Sequence, residues 1–392
     1  MKIFVVGAGA TGSVLINTLA GQKEVERIFC VAKNKRIAAE FVKSHPKVKI
    51  FGADVADRTK MEKFAKGSDL VINAASPWLN VPILKLALRV HAHYQDLEAY
   101  LGLDDGRSKM PYRIEHLSFD KEFRKQRRVA LFDAGVAPGL TNLLVAEAQE
   151  VLGNLKNVSI RLLEDLQASA YISTWSPSAA IDEVYSRPVV YRNGKFSILK
   201  RFSDPEEFNF PKPFGRHTTY AIMNNEAFTI PQYLSVGKIE VRSAGCDDEA
   251  ARIMVALGLL EKKPMRIRGI TLTPLEFTMR IMRQPPTPKE LKRLVATGVV
   301  RDGYFAFFIE ATGPKKRKIA YWVPFPSQKT LFKKDIHSTY VAHPAGTCAA
   351  VFALEIPHIQ KYGTMPPEVL PKDNRERILK RIKQFGINVK TR

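Results

Sequence analysis

Gly7, Gly9 and Gly12 lie in the stretch Gly7-Ala8-Gly9-Ala10-Thr11-Gly12, spaced G-x-G-x-x-G, directly after the apolar run Ile3 to Val6. This spacing suits the binding of a pyrophosphate. The first glycine permits a tight turn, and the second lets the backbone approach the anion. The third allows a helix to pack close to the strand, and the N-terminus of that helix offers unpaired N–H groups. Ala10 and Thr11 belong to the same anion-facing turn. A residue that reads the adenosine ribose is expected about 20 residues further on. An NAD enzyme tends to carry Asp or Glu there, but this chain carries Lys33-Asn34-Lys35-Arg36. Cations and an amide donor welcome a 2′-phosphate that a carboxylate would repel, so the residues favour NADP, with NAD left open. The same four residues also read as a solvated helix start.

Further candidates follow at the ends of later apolar runs. Asp54 and Val55 lie where an adenine would rest, although Asp54 would serve equally as the cap of a helix starting near Arg58. The small residues of Asn73-Ala74-Ala75 let the chain pass close to a cofactor. Asp96 and Asp133 end adjacent strands on the face where the reactive ring of a dinucleotide should lie, and a carboxylate there binds an amino group or passes a proton. For Asp133, a turn-stabilising role is the other reading. His217, between Arg216 and two threonines, is a candidate polar contact together with Thr218. Gly135, Trp175 and Ser176 are candidate walls and donors of a substrate pocket, although Trp175 reads equally as core. Arg242 is a candidate carboxylate clamp or a solvated strand face. No His/Cys/Asp cluster shows metal-ligand spacing, so no metal is expected.

The elements that must position these residues alternate. Strands at Ile3–Val6, Arg27–Ala32, Val48–Phe51, Asp69–Ala75, His93–Leu97 and Val129–Asp133 are separated by helical stretches, which predicts an α/β fold built on a parallel, doubly wound sheet, a Rossmann domain. Beyond Val151 the pattern changes to strand-like runs at 159–163, 171–174, 189–192, 196–199, 238–242, 266–272, 304–312 and 318–323. Asn193-Gly194 and Gly313-Pro314 supply turns, which predicts a mixed α+β domain. Ala345 to Ile356 reads as a buried helix and Asn374 to Gln384 as a basic amphipathic one.

The 392 residues suit two domains. No stretch reaches the apolar length of a membrane span, and no charged-then-apolar leader precedes the first strand. These features predict a cytoplasmic protein with no membrane partner. Cys30, Cys246 and Cys348 are far apart and read as reduced core residues. The formal net charge of +22 is spread along the chain rather than gathered on a nucleic-acid-binding motif. It predicts a field that draws in an anionic cofactor and a carboxylate substrate, not a nucleic acid; the small-molecule partner expected is a carboxylate or an amine.

Taken in order, the motifs resemble the saccharopine dehydrogenase/reductase-like family along most of the chain. They are GAGATG, Asn73-Ala74-Ala75-Ser76-Pro77, His93-Tyr94-x-Asp96-Leu97, DAGVAPGLTN at 133–142, Ser173-Thr174-Trp175-Ser176-Pro177, Val241-Arg242-Ser243-Ala244-Gly245 and Leu257-Gly258-Leu259-Leu260. Gly363-Thr364-Met365-Pro366-Pro367-Glu368 is similar to the tail of the lysine 6-dehydrogenase branch. The resemblance implies an NAD(P)-dependent oxidoreductase acting on a C–N bond of an amino acid or amino-acid adduct. It also implies a Rossmann domain over 1–140 completed by 340–392, and an inserted substrate and dimerisation domain over 141–339, hence a homodimer. A rival expectation is a protein of the same fold that binds the nucleotide but has lost catalysis. Glu98-Ala99-Tyr100 and the stretch 216–220 depart from the family pattern.

Overall fold

The computed structural model describes residues 1–101 and 114–392. Its first sheet is built from β1 (Lys2–Val6), β2 (Arg27–Ala32), β3 (Val48–Gly52), β4 (Leu70–Asn73), β5 (His93–Asp96) and β6 (Val129–Leu131). A seventh strand, Gly363–Met365, pairs in parallel with β6, so the order is Gly363–Met365, β6, β5, β4, β1, β2, β3. All these pairings are parallel. Ile3, Phe4, Val5 and Val6 are all buried, as expected for a strand covered by helices on both faces.

One covering helix comes from the far end of the chain. Helix Ala342–Glu355 is buried almost all round and packs against helix Ala10–Ala20. Gly346 is the point of closest approach, where a Cβ would lie 2.6 Å from the Thr11 carbonyl oxygen.

The second sheet runs Glu206–Phe210, Gly215–Ala221, Lys238–Ala244, Asn157–Ala168, Val300–Thr312, Lys318–Pro324, Lys390–Thr391. It is antiparallel except where Lys238–Ala244 lies parallel to Asn157–Ala168. The hairpin Val189–Arg192/Lys195–Ile198 joins it by pairing antiparallel with Lys238–Ala244, and closes in a turn in which Asn193 and Gly194 both have positive φ (51 and 79). That is the turn type the Asn-Gly pair favours. A second hairpin, Met265–Ile267/Ile270–Leu272, stands apart from both sheets.

Several local expectations are corrected. Tyr171 to Thr174 form no strand; the Ser173 hydroxyl donates to the Arg283 carbonyl instead. The expected strand 266–272 is folded back on itself at Arg268-Gly269, both with positive φ. Helix Glu226–Tyr233 carries Pro231 inside it and was not expected, because proline argues against helix interiors. Helix Pro288–Ala296 was also missed, although Thr287 and Glu290 form a capping box at its start.

Candidate active site

The glycine loop leaves β1 at Gly7, whose φ of 99 suits glycine, and a Cβ there would come within 2.7 Å of the Ala74 carbonyl oxygen. Gly12 is as confined: a Cβ on it would lie 2.5 Å from the Gly7 oxygen. Gly9 differs: a Cβ on it would meet nothing within 4 Å, and no side chain caps the helix that begins there. The loop therefore leaves open the space in front of a helix N-terminus, where first-turn N–H groups have no intrahelical partner. These residues fit the pyrophosphate of a dinucleotide.

A cavity of about 640 Å³ runs from this loop to the second sheet. Gly7, Gly9, Ala10, Thr11, Gly12, Lys33, Asn34, Asp54, Val55, Asn73, Ala74 and Ala75 all line it. Lys35 and Arg36 do not; they open helix Lys35–Phe41, which Asn34 caps by accepting from the Ile37 N–H at 3.1 Å. The Lys33 Nζ lies 3.7 Å from an Asp54 carboxylate oxygen. Asp54 does not cap the next helix. Asp57 does so, and Asp54 accepts from the Ala56 N–H.

At the carboxyl end of β5, Asp96 lines the cavity and is almost fully buried. One of its carboxylate oxygens takes the Tyr94 hydroxyl at 2.8 Å and the His116 Nε2 at 2.6 Å, and the other accepts the Asp133 N–H at 3.0 Å. Asn73 and Asn80 extend the network, with Asn80 donating to the Glu98 carbonyl. Asp133 lies outside the lining. It has positive φ, accepts from the Ala99 N–H and the Asn225 side chain, and so holds the turn after β6. Burial and then the nearby Asp96 push its carboxyl well above the usual range.

Gly135, Trp175 and Ser176 also line the cavity. Ser176 caps helix Pro177–Tyr185, and the Trp175 indole N–H donates to Glu164. The remaining expected contacts lie elsewhere. His217 bonds the Phe214 carbonyl, and Thr218 donates to Glu207 on the neighbouring strand. Arg242 is 1% exposed, with its guanidinium taken by Thr219, Asp204 and Glu206. A buried guanidinium needs such partners, and with them it cannot serve as a carboxylate clamp in the cavity.

Four residues escaped the sequence. His116 lies beside Asp96 with no motif to announce it. Glu98, Glu164 and Glu183 line the cavity from the exit of β5, the strand Asn157–Ala168 and the helix Pro177–Tyr185. Burial first, and neighbouring carboxylates second, push Glu98 and Glu164 up to about 8; the same causes raise Glu183 well above its usual range. Glu98, two residues past Asp96 at a strand's carboxyl end, was the one with a positional signal.

Residues 3–131 match the saccharopine dehydrogenase NADP binding domain, and residues 135–387 the saccharopine dehydrogenase C-terminal domain. The chain belongs to the saccharopine dehydrogenase family. As a member it is an NAD(P)-dependent oxidoreductase acting on a C–N bond. Its relatives include a carboxynorspermidine synthase of Vibrio cholerae, 22% identical over 309 residues, 73% of each chain. Another is a carboxyaminopropylagmatine dehydrogenase of Synechocystis, 25% identical over 305 residues, 74% of each. The fold is shared with the saccharopine dehydrogenase (L-Glu forming) of Saccharomyces cerevisiae at TM-score 0.70 and 12% identity, covering 100% of this chain and 99% of that one. It is also shared with a homospermidine synthase of Legionella pneumophila in complex with NAD, at TM-score 0.66 and 13% identity, covering 100% and 91%.

Proposed function

We propose that this saccharopine dehydrogenase-family protein uses NADPH to reduce the imine formed between an amine and an amino-acid aldehyde. The observation that carries this reading is the pairing of a dinucleotide cradle with a wall of carboxyls in one cavity, Asp96 and Glu98 at the end of β5. Bound NADPH supplies the hydride. The chain's own residues do the rest. With the cofactor bound, the loop Gly7–Gly12 and the following helix would hold the pyrophosphate, and Lys33 would serve the ribose phosphate. Asp96, fixed by Tyr94, His116 and the Asp133 N–H, places a carboxyl beside the reacting nitrogen. A carboxyl there suits an imine nitrogen. The imine carbon accepts the hydride and the C=N becomes CH–NH, while NADPH is oxidised. The relatives named for carboxynorspermidine and carboxyaminopropylagmatine support an amine partner. Screening NADPH oxidation against mixtures of amino-acid aldehydes and amines tests this. Binding of NADPH with no consumption in any mixture would leave the inactive nucleotide-binding alternative.

The protein works in the cytoplasm as a homodimer joined through its second domain. Supporting the dimer are Ile253, Leu257, Ile267, Ile270, Phe277 and Ile281, all exposed and all within residues 253–281 of that domain. Exposed large apolar groups suit an interaction surface. The strand Lys318–Pro324 contributes no open edge at Tyr321 and Trp322, which pair with Thr391 and Lys390. Light scattering should give twice the chain's 44.1 kDa, and a species of that mass alone at micromolar concentration would refute the dimer.

A further inference from the structure

Helices Arg58–Ala65 and Asn80–Arg89 pack against each other on the first sheet, and a second cavity of about 340 Å³ opens between them. That volume lies within the range of small-ligand sites. Part of its lining is apolar, with Met61 and Leu86 buried and Val55 half-buried. Its charged lining is all of one sign: Arg58, Lys85 and Arg89 border it, and no described lining residue is an acid. Lys85 and Arg89 stand four residues apart on one helix face, a spacing at which like charges oppose each other. Arg89 is relieved by Glu62. Lys85 has only the Phe119 ring, 5.7 Å from its ammonium, and the Arg58 side chain has no partner among the described residues. The cavity beyond the glycine loop is walled by carboxyls, whereas this one sets cations beside an apolar floor.

Cations gathered around a concave surface concentrate anions, and a hydrocarbon chain on the floor adds burial that a bare ion lacks. We propose that this groove is a second binding site and that its ligand is a small amphiphilic anion, a carboxylate or phosphate head on a hydrocarbon tail. The head meets Arg58 and Lys85, the two cations without a carboxylate, and the tail lies on Met61 and Leu86. Val55 lines this groove and the cofactor cavity alike. It belongs to a turn held by Asp54, which accepts the Ala56 N–H at 2.9 Å and pairs with Lys33 at 3.7 Å. Residues 54–56 thus form a partition between the two sites. A tail packed behind Val55 orders that partition in advance, and a dinucleotide arriving on the other side has less left to order. The ligand is therefore an effector: it tightens NADPH binding, and NADPH tightens its binding by the same factor.

This proposal does not depend on the reaction proposed above, and calorimetry on the full chain tests it. The probes are octanoate and octyl phosphate, octylammonium as the same tail with the opposite charge, and acetate and inorganic phosphate as heads without tails. At least one of the two amphiphilic anions should bind about tenfold or more tighter than octylammonium and than its own tail-less head, and the better of the two identifies the head group. Replacing both cations, Arg58→Ala with Lys85→Ala, should weaken that binding about tenfold or more. NADPH affinity without added anion should stay within about twofold in this variant, which shows that it is folded. In the wild type, saturating anion should lower the NADPH Kd about threefold or more, and saturating NADPH should lower the anion's Kd equally. No binding of either anion, equal binding of octylammonium, or binding that survives the double replacement overturns the site. Selective binding with an unchanged NADPH Kd supports the site and overturns its coupling to the cofactor.

Discussion

On the reading proposed above, Lys33 and Asp54 set the choice of cofactor. Lys33 is the cation of its cluster that lines the cavity, and its ammonium is shared with Asp54 at 3.7 Å. Lys33→Asp should lower the NADPH-to-NADH affinity ratio by about tenfold or more, the size of one charge-assisted contact of roughly 1.5–3 kcal/mol after partial screening. Lys35→Ala should leave the ratio within about twofold, because Lys35 does not line the cavity. Asp54→Asn should move the ratio the other way, further toward NADPH, by removing the carboxylate that competes for Lys33. Titrating both nucleotides by fluorescence at low and high salt checks all three, and the Lys33 effect should shrink as salt rises. An unchanged ratio in Lys33→Asp would refute the assignment. The sequence revealed Lys33 through its distance from the glycines. It could not separate Lys33 from Lys35 and Arg36, because that depends on where the helix begins.

Among the elements, helix Ala342–Glu355 does most to hold the glycine loop. It touches helix Ala10–Ala20 so closely at Gly346 that a Cβ would meet the Thr11 oxygen, the Val14 side chain and the Leu15 nitrogen, all within 2.9 Å. Gly346→Val should therefore destabilise the protein by roughly 1–3 kcal/mol, the range for overpacking a core. It should also weaken NADPH binding, because Thr11 belongs to the loop. Removal of residues 340–392 should unfold the nucleotide-binding half. Unchanged melting and NADPH affinity in that truncation would show that the helix is dispensable. The helix was legible in the sequence because its faces are apolar all round, and the parallel strands because their runs are short, apolar and regularly spaced. The second sheet was less legible. Its strands Glu206–Phe210 and Gly215–Ala221 mix Glu, Asn, Arg and His with aromatics, and helix Glu226–Tyr233 forms against its proline because Ala227, Phe228 and Ile230 are buried by packing. The carboxyl wall was hidden for the same reason: Glu98, Glu164 and Glu183 come together through tertiary packing of three elements, which no local spacing encodes.

On the scale of the whole molecule, the buried carboxyls tie stability to pH. Glu98 and Glu164 are raised to about 8, and Glu226, Glu368 and Asp248 to about 7, in each case chiefly by burial. A carboxyl raised on folding holds its proton more tightly folded than unfolded. The stability it contributes is full below its unfolded value and is lost as pH rises through the folded one. His93 and His343, lowered to about 4 by burial, act in the opposite sense, but only below the ordinary histidine value of about 6.5. Between about pH 6.5 and 8 the carboxyls act alone, so the ligand-free protein should melt at progressively lower temperature as pH rises through that window. A melting temperature that is flat or rising there would contradict the carboxyl assignments. The chain's route through the first sheet has a further consequence, for synthesis. β6 gains its outer neighbour only from Gly363–Met365, and the glycine loop gains its backing helix only from Ala342–Glu355. A ribosome making 5–20 residues per second needs roughly 10–50 s to add the intervening ~230 residues. For that time the domain made first waits with an open edge and an uncovered apolar face, which makes the nascent chain a natural client for a chaperone.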